Sequence, residues 1–256
     1  MGYIFGLGTL AKLTSLLSVK SCSVSDRLYI VPAFLVLISS VITAQTQLGD
    51  VIGTRGHGGG LVVSLDSDGD RVAIGDYRDD GTGTDAGTAR IYEYSSGSWS
   101  QLGSDIDGEA AGDYSGWSVS LNSDGDRVAI GAFYNDGTGT NAGHVRIYEY
   151  SSGSWSQLGS DIDGEAAGDQ SGFSVSLDSD GDRVVIGAPG ANYISTGLVR
   201  IYEYSSGSWS QLGSDIDGEE PQNFFGTSVS LNSDGDRVAI GAELNDGTGT
   251  DAGHVR

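Results

Sequence analysis

An all-β fold of four-stranded antiparallel sheets standing side by side is what this sequence predicts, on three observations. The segment Leu65-Asp66-Ser67-Asp68-Gly69-Asp70-Arg71-Val72-Ala73-Ile74-Gly75 recurs almost letter for letter from Leu121, Leu177 and Leu231, at spacings of 56, 56 and 54 residues. Each copy alternates short runs rich in Val, Ile and Tyr with turns rich in Gly, Asp and Ser, the pattern of strands and hairpins. Beyond residue 44 no stretch carries the period of a helix.

The second copy shows the elements in order. Trp117-Ser118-Val119-Ser120-Leu121 alternates large apolar and small polar residues and reads as a first strand. Asn122-Ser123-Asp124-Gly125-Asp126 supplies a tight hairpin, since Gly accepts the positive φ that such a turn needs. Arg127 to Ala132 returns as a second strand whose apolar run points to burial on both faces. A Gly-rich loop from Asn135 to Gly143 leads into the alternating third strand His144-Val145-Arg146-Ile147-Tyr148-Glu149-Tyr150. Ser151 to Ser154 turns the chain once more, and Trp155 to Ile162 forms a more polar fourth strand, as an outer edge should be.

Four antiparallel strands repeating every 40–60 residues or so are the composition of a β-propeller blade, and one blade alone cannot bury both its faces. The blades are expected at about residues 61–106, 117–162, 173–216 and 227–256 of a domain covering 45–256. Gln47 to Ile52 matches Gln157 to Ile162, so the domain opens on a fourth strand, while Gly253-His254-Val255-Arg256 lies inside a third. Either residues 45–52 close a four-bladed ring, or the blades are part of a larger ring; a third strand cut in mid-pattern favours the second reading.

Residues 1–44 differ in kind. They hold Lys12, Lys20, Arg27, one acid, Asp26, and the one cysteine, Cys22. The apolar run from Tyr29 to Ala44 follows Arg27 and suits a secretory signal cleaved after Ala44, being shorter than the roughly 20 residues that span a bilayer. A membrane connection is expected only through an uncleaved leader or a region beyond Arg256. The remaining residues carry 34 acids against ten arginines, with no lysine and no cysteine. Such a surface repels phosphate backbones, which argues against nucleic acid as a partner, and an exported domain of this length relies on its core instead of disulfides.

Individual motifs resemble the FG-GAP repeat, the blade unit of the integrin α-subunit propeller. Phe225-Gly226-Thr227-Ser228-Val229-Ser230-Leu231 is similar to the family's opening Phe-Gly segment, Ile186-Gly187-Ala188-Pro189 to its Gly-Ala-Pro segment, and Leu198 to Tyr204 to its third strand. Ser115-Gly116 and Ser171-Gly172 replace Phe-Gly, and the segments at Gly131 and Gly241 lack the proline. The resemblance implies a ring, commonly of seven blades, that serves adhesion or ligand recognition, often with calcium.

The family's calcium loop sets carboxylates at its first, third, fifth and ninth places with Gly at the sixth. Aligned on Gly69, this chain offers Asp66 and Asp68 but has Ser64 and Val72 where two further ligands belong. A hairpin whose Asp or Asn side chain caps its own backbone is the favoured reading there. The connections between blades come closer: Asp105, Asp107, Glu109 and Asp113, then Asp161, Asp163, Glu165 and Asp169, carry acids at those four places, with Gly at the fourth. A solvated acidic linker is the simpler reading of these, and weak, millimolar-range Ca2+ binding is the sharper one.

Almost every polar residue appears in several equivalent places, whereas an active site needs one asymmetric constellation. No Gly-x-Ser-x-Gly elbow, phosphate loop or His-Glu-x-x-His pair occurs. Trp99, Trp155 and Trp209 recur after the Ser-Ser-Gly-Ser turns, which points to packing between blades more than to a sugar platform. The expected function is therefore non-enzymatic: a secreted or cell-surface adhesion and recognition module for a protein or glycan. The alternative is a structural array of an extracellular matrix or cell envelope.

Overall fold

Hairpins capped by their own side chains set the frame. In the computed structural model, which describes residues 47–49, 61–191, 195–247 and 249–256, Asp66 Oδ1 accepts hydrogen bonds from the N–H groups of Gly69, Asp70 and Arg71 at 2.8, 3.1 and 3.1 Å. One carboxylate oxygen thus closes the hairpin between Leu61–Leu65 (β1) and Arg71–Asp76 (β2). Thr88–Ser95 (β3) and Ser98–Gln101 (β4) complete the order β1-β2-β3-β4, with Ile106–Asp107 (β5) also paired to β3.

The second blade repeats this with Ser118–Leu121 (β6), Arg127–Ala132 (β7), His144–Ser151 (β8), Ser154–Gln157 (β9) and Ile162–Asp163 (β10). The third uses Ser174–Leu177 (β11), Arg183–Ala188 (β12), Leu198–Ser205 (β13), Ser208–Gln211 (β14) and Ile216–Asp217 (β15). Phe225–Leu231 (β16), Val238–Ala242 (β17) and His254–Val255 (β18) make the fourth. All pairings within these sheets are antiparallel, and the four sheets are the blades of a β-propeller. Among the described residues no helix is long and apolar enough to cross a membrane. The leader, Met1–Ala44, and most of the 45–52 segment lie outside the described residues.

Sequence reasoning treats the fourth strand as continuous; it is broken. In blade 2, β9 ends at Gln157 and β10 begins at Ile162, both paired to β8. Gly159, at φ 78°, turns the backbone out between them, and Gln157 Nε2 donates to Asp161 Oδ1 at 2.6 Å across the break. In blade 3 Arg200 of β13 grips the same place, its Nε and Nη2 donating to Asp215 at 2.9 and 2.8 Å.

The core lies between blades. Blade 1 offers blade 2 a face of small and medium side chains, Ala73, Ala89, Ile91 and Ile106, and receives the larger Val119, Leu121, Val128 and Ile130. The same asymmetric match joins blades 2 and 3 through Ala129, Val145 and Ile147 against Leu177, Val184 and Ile186. Each Val, Leu or Ile among them contributes about 1.5–3 kcal/mol on full burial. Serine hydroxyls set the register: Leu121, Leu177 and Leu231 N–H donate to Ser64, Ser120 and Ser176 Oγ at 2.9, 3.0 and 3.1 Å. A backbone ladder runs alongside, Ser67 N–H to Ser123 O, Ser123 to Ser179 and Ser179 to Ser233, each at 3.1 Å. The Leu-Asp/Asn-Ser corners of all four blades surround an axial opening of about 230 Å³.

Arginine and tryptophan tie the outer strands. Arg71 holds Glu93 of its own blade through Nε and Nη2 while its Nη1 donates to Asp124 O of the next at 3.2 Å, and Arg127 and Arg183 do the same one and two blades on. Trp155 and Trp209 donate from Nε1 to Leu102 O and Leu158 O at 2.8 and 2.7 Å. Trp99 donates likewise to Leu48 O at 2.9 Å, so Leu48 stands to blade 1 as the end of one blade's fourth strand stands to the next. The tryptophans are packing residues, as their recurrence suggests.

Gly131 shows how tightly the blades meet, because a Cβ there would run into the Gly172 carbonyl of blade 3 and Ser118 Oγ. At the equivalent Gly241 the nearest atom is only the rotatable Ser228 Oγ. Gly131→Ala should therefore lower unfolding free energy by about 2–3 kcal/mol and Gly241→Ala by less than about 1. Denaturant titration of the pair measures this, and equal losses would mean that the close approach of blade 3 is unimportant. The Arg200 hydrogen bonds hold the Asp215 carboxyl below its ordinary value of 3.8, so the unfolded chain takes up this proton first as pH falls. The pair's contribution is then whole above pH 3.8 and drains away below it. Asp215→Asn should cost about 1 kcal/mol near neutral pH, with the gap to the parent protein narrowing on acidification; a gap that stays constant with pH would contradict this account.

Candidate functional site

Where every copy agrees, the residues hold blades together; the candidate site lies where they disagree. The loops before β6 and β11 and after β2 and β7 carry Tyr77, Tyr114, Trp117, Phe133, Tyr134 and Phe173, and blade 4 keeps an aromatic ring at only one of the aligned positions, Phe224 for Tyr114: Glu243 aligns with Tyr77, Leu244 with Tyr134 and Thr227 with Trp117. These side chains form one cluster. Trp117 has ring centroids 4.5 Å from Phe133, 4.9 Å from Tyr77 and 5.4 Å from Phe173, and Tyr114 lies 5.3 Å from Tyr134. Tilted and edge-on contacts at such distances are the favourable arrangements for aromatic pairs. Only Phe133 is fully buried; the other five rings are part-exposed. Tyr114 takes φ 56°, a left-handed conformation costly for a bulky residue, that its N–H bond to Asp85 O at 3.2 Å helps to hold. Beside the cluster, Trp117, Phe173, Val62 and Thr227 line a cavity of about 380 Å³ among the inner strands.

Beneath the same loops run the acidic connections. Asp105 takes Arg90 Nε at 2.9 Å and Gln101 Nε2 at 2.6 Å. Asp107 Oδ1 accepts from Thr88 Oγ1 at 3.0 Å. Asp113, buried, accepts from Ala110 N–H and Asn135 Nδ2 at 3.1 and 2.9 Å. In the next connection Glu165 pairs with Arg200 at 2.9 Å, and buried Asp169 accepts from the N–H groups of Glu165 and Ala166 at 3.2 and 3.0 Å. Asp163 is exposed, and partial desolvation together with the charge of Asp161 raises its pKa. Asp66 caps its hairpin as described, while Asp68 lies exposed on the same turn.

Two of the sequence-predicted acids do converge, on a residue the sequence reading passed over as a strand starter. Glu109 Oε2 and Asp161 Oδ2 lie 4.0 and 3.8 Å from Nδ1 of the buried His144. Among the described residues this is the one group of three such side chains whose ligand atoms all lie within 4.8 Å of one another. Burial, then the Arg146 charge, push the His144 pKa down to about 4, so the imidazole is neutral at pH 7. The signal available beforehand was the variation of this position among the copies: His144, matched by His254 of blade 4, replaces Thr88 of blade 1 and Leu198 of blade 3.

Residues 106–148, which run from β5 to within β8, match the family model of the FG-GAP repeat. No curated protein matches the sequence. The same strand order and hairpin motif recur in the blades on either side of the matched segment, so the β-propeller contains an FG-GAP repeat at residues 106–148 and is built of copies similar to it.

Proposed function

We propose that this chain is a non-enzymatic recognition and adhesion module of a secreted or cell-surface protein, and that it binds a glycan on the aromatic cluster of blades 1–3. The observation that carries the reading is the asymmetry of that cluster: six aromatic side chains gather at positions where the fold itself accepts Thr227, Pro189, Gly190 or Gln170. Part-exposed rings beside a cavity suit a ligand with flat apolar faces and hydroxyl edges. A cysteine-free domain behind a signal-like leader and a strongly acidic surface support an extracellular setting. Calcium has a minor part in this reading. Asp105, Asp113, Glu165 and Asp169 already hold protein donors, which favours loose, millimolar screening of surface charge over a caged ion.

A structural array remains the second reading, on one observation. Val63 and Leu65, on the face of blade 1 turned away from blade 2, are 64% and 57% exposed, where the equivalent Val119 and Leu121 are each 7% exposed. A glycan array probed with the purified chain tests the first reading. Saturable binding is expected, lost in Trp117→Thr, which installs the residue that blade 4 carries, with the fold retained by circular dichroism and a lowered melting temperature from the lost ring contacts. Binding that survives this variant would move the site elsewhere, and concentration-dependent assembly with no saturable ligand would favour the array.

A further inference from the structure

In blades 1 and 3 an arginine meets the carboxylates at the break in the fourth strand, and in blade 2 it does not; Arg146 instead makes the contacts that Arg256 makes in blade 4, to a backbone carbonyl and a glutamate of the preceding connection. In blade 3 Arg200 takes Asp215 through two nitrogens and Glu165 at 2.9 Å. In blade 1 Arg90 takes Asp105 at 2.9 Å and Asp79 at 2.8 Å. Arg146 of blade 2 instead donates from Nη2 to the Asp107 carbonyl at 2.8 Å and keeps Nη1 3.4 Å from Glu109. Its buried Nε has no hydrogen-bond partner. Asp161, the counterpart of Asp105 and Asp215, is left facing His144.

The imidazole does not stand in for the missing guanidinium. Its side chain is 2% exposed, and at 3.8 and 4.0 Å neither carboxylate is within hydrogen-bond reach of Nδ1. Two carboxylates therefore converge on a buried nitrogen that bonds to neither, an arrangement a cation at its centre would satisfy.

We propose that Glu109, His144 and Asp161 bind one divalent transition-metal ion of the zinc class, held between the connection from blade 1, the start of β8 and the turn before β10. One imidazole nitrogen with two carboxylate oxygens is a borderline donor set that suits Zn2+, whereas Ca2+ takes six to eight oxygens. Bonds of roughly 2.0–2.2 Å in a tetrahedral site bring ligand atoms to about 3.3–3.5 Å from one another, so the group, now within 4.8 Å, closes by a small movement. The carboxylates supply it: Glu109 and Asp161 are 48% and 30% exposed and can swing, while His144 stays packed. Three protein ligands leave a further coordination position for water or for an oxygen of a bound molecule. This inference is independent of the glycan reading, since none of its three ligands belongs to the aromatic cluster.

The test uses the full chain with Cys22→Ser, which removes its one thiol, after treatment with a chelator. Titration with zinc chloride by calorimetry should give one saturable site, and Co2+ should give the visible absorption of a low-coordinate nitrogen–oxygen site. His144→Leu, which installs the residue of blade 3, should abolish the absorption and weaken zinc at least about 100-fold, beyond the 10–100-fold typical of losing a supporting group. His254→Leu, the equivalent change in blade 4, should alter neither. Should His144→Leu fail to fold, Glu109→Gln provides the same readout from an exposed position. Absence of saturable zinc binding, zinc binding undiminished in both variants, or calcium competing on equal terms would each overturn the proposal.

Discussion

Asymmetric packing between sheets is the constraint on which this structure depends. A face of Ser, Ala and Ile on one blade receives a face of Val, Leu and Ile on the next, so that neither face is buried by its own sheet. The match is directional, and so are the hydrogen bonds that accompany it: serine hydroxyls accept from leucine N–H groups always in the same sense around the axis. Repetition of the sequence follows from this, because each blade must present one of each face to its neighbours.

That constraint also explains why function hides in the exceptions. Positions such as Gly131, Ser120 and Trp155 serve the joint between blades, and the copies agree there. The loops at the upper ends of β2, β7 and β12 owe less to the joint, and they diverge: Phe133 aligns with Pro189, and His144 with Leu198. The aromatic cluster lies in this divergent fraction, and in the histidine–carboxylate group the histidine position diverges while its two carboxylates repeat. Neither is needed to complete a blade.

The fold was legible because period-two alternation and Asp-Gly turns report directly on local backbone geometry. Strand β7 was read at its observed bounds, and β6 and β8 within one residue. The break between β9 and β10 was not read, since Leu158-Gly159-Ser160 continues an alternating pattern and only the neighbouring blade's tryptophan, bonding Leu158 O, shows why the backbone leaves the sheet. The acidic connections misdirected attention for a similar reason. Sequence spacing sets carboxylates near one another along the chain, but Arg90, Arg200 and backbone N–H groups claim most of them. Trp117 was visible only as a strand residue, because its partners Tyr77 and Phe173 lie 40 and 56 positions away.

By itself, then, the sequence determined the all-β class, the repeat, the hairpins and the outward order of strands, all of which rest on interactions among residues close along the chain. Tertiary structure alone decided which carboxylates are spent in ion pairs, that six scattered aromatic side chains share one surface, and that Glu109 and Asp161 meet at His144. The physical reason is that these groups belong to different blades and connections, brought together by the packing of one sheet on another, a relation that no local pattern of residues encodes.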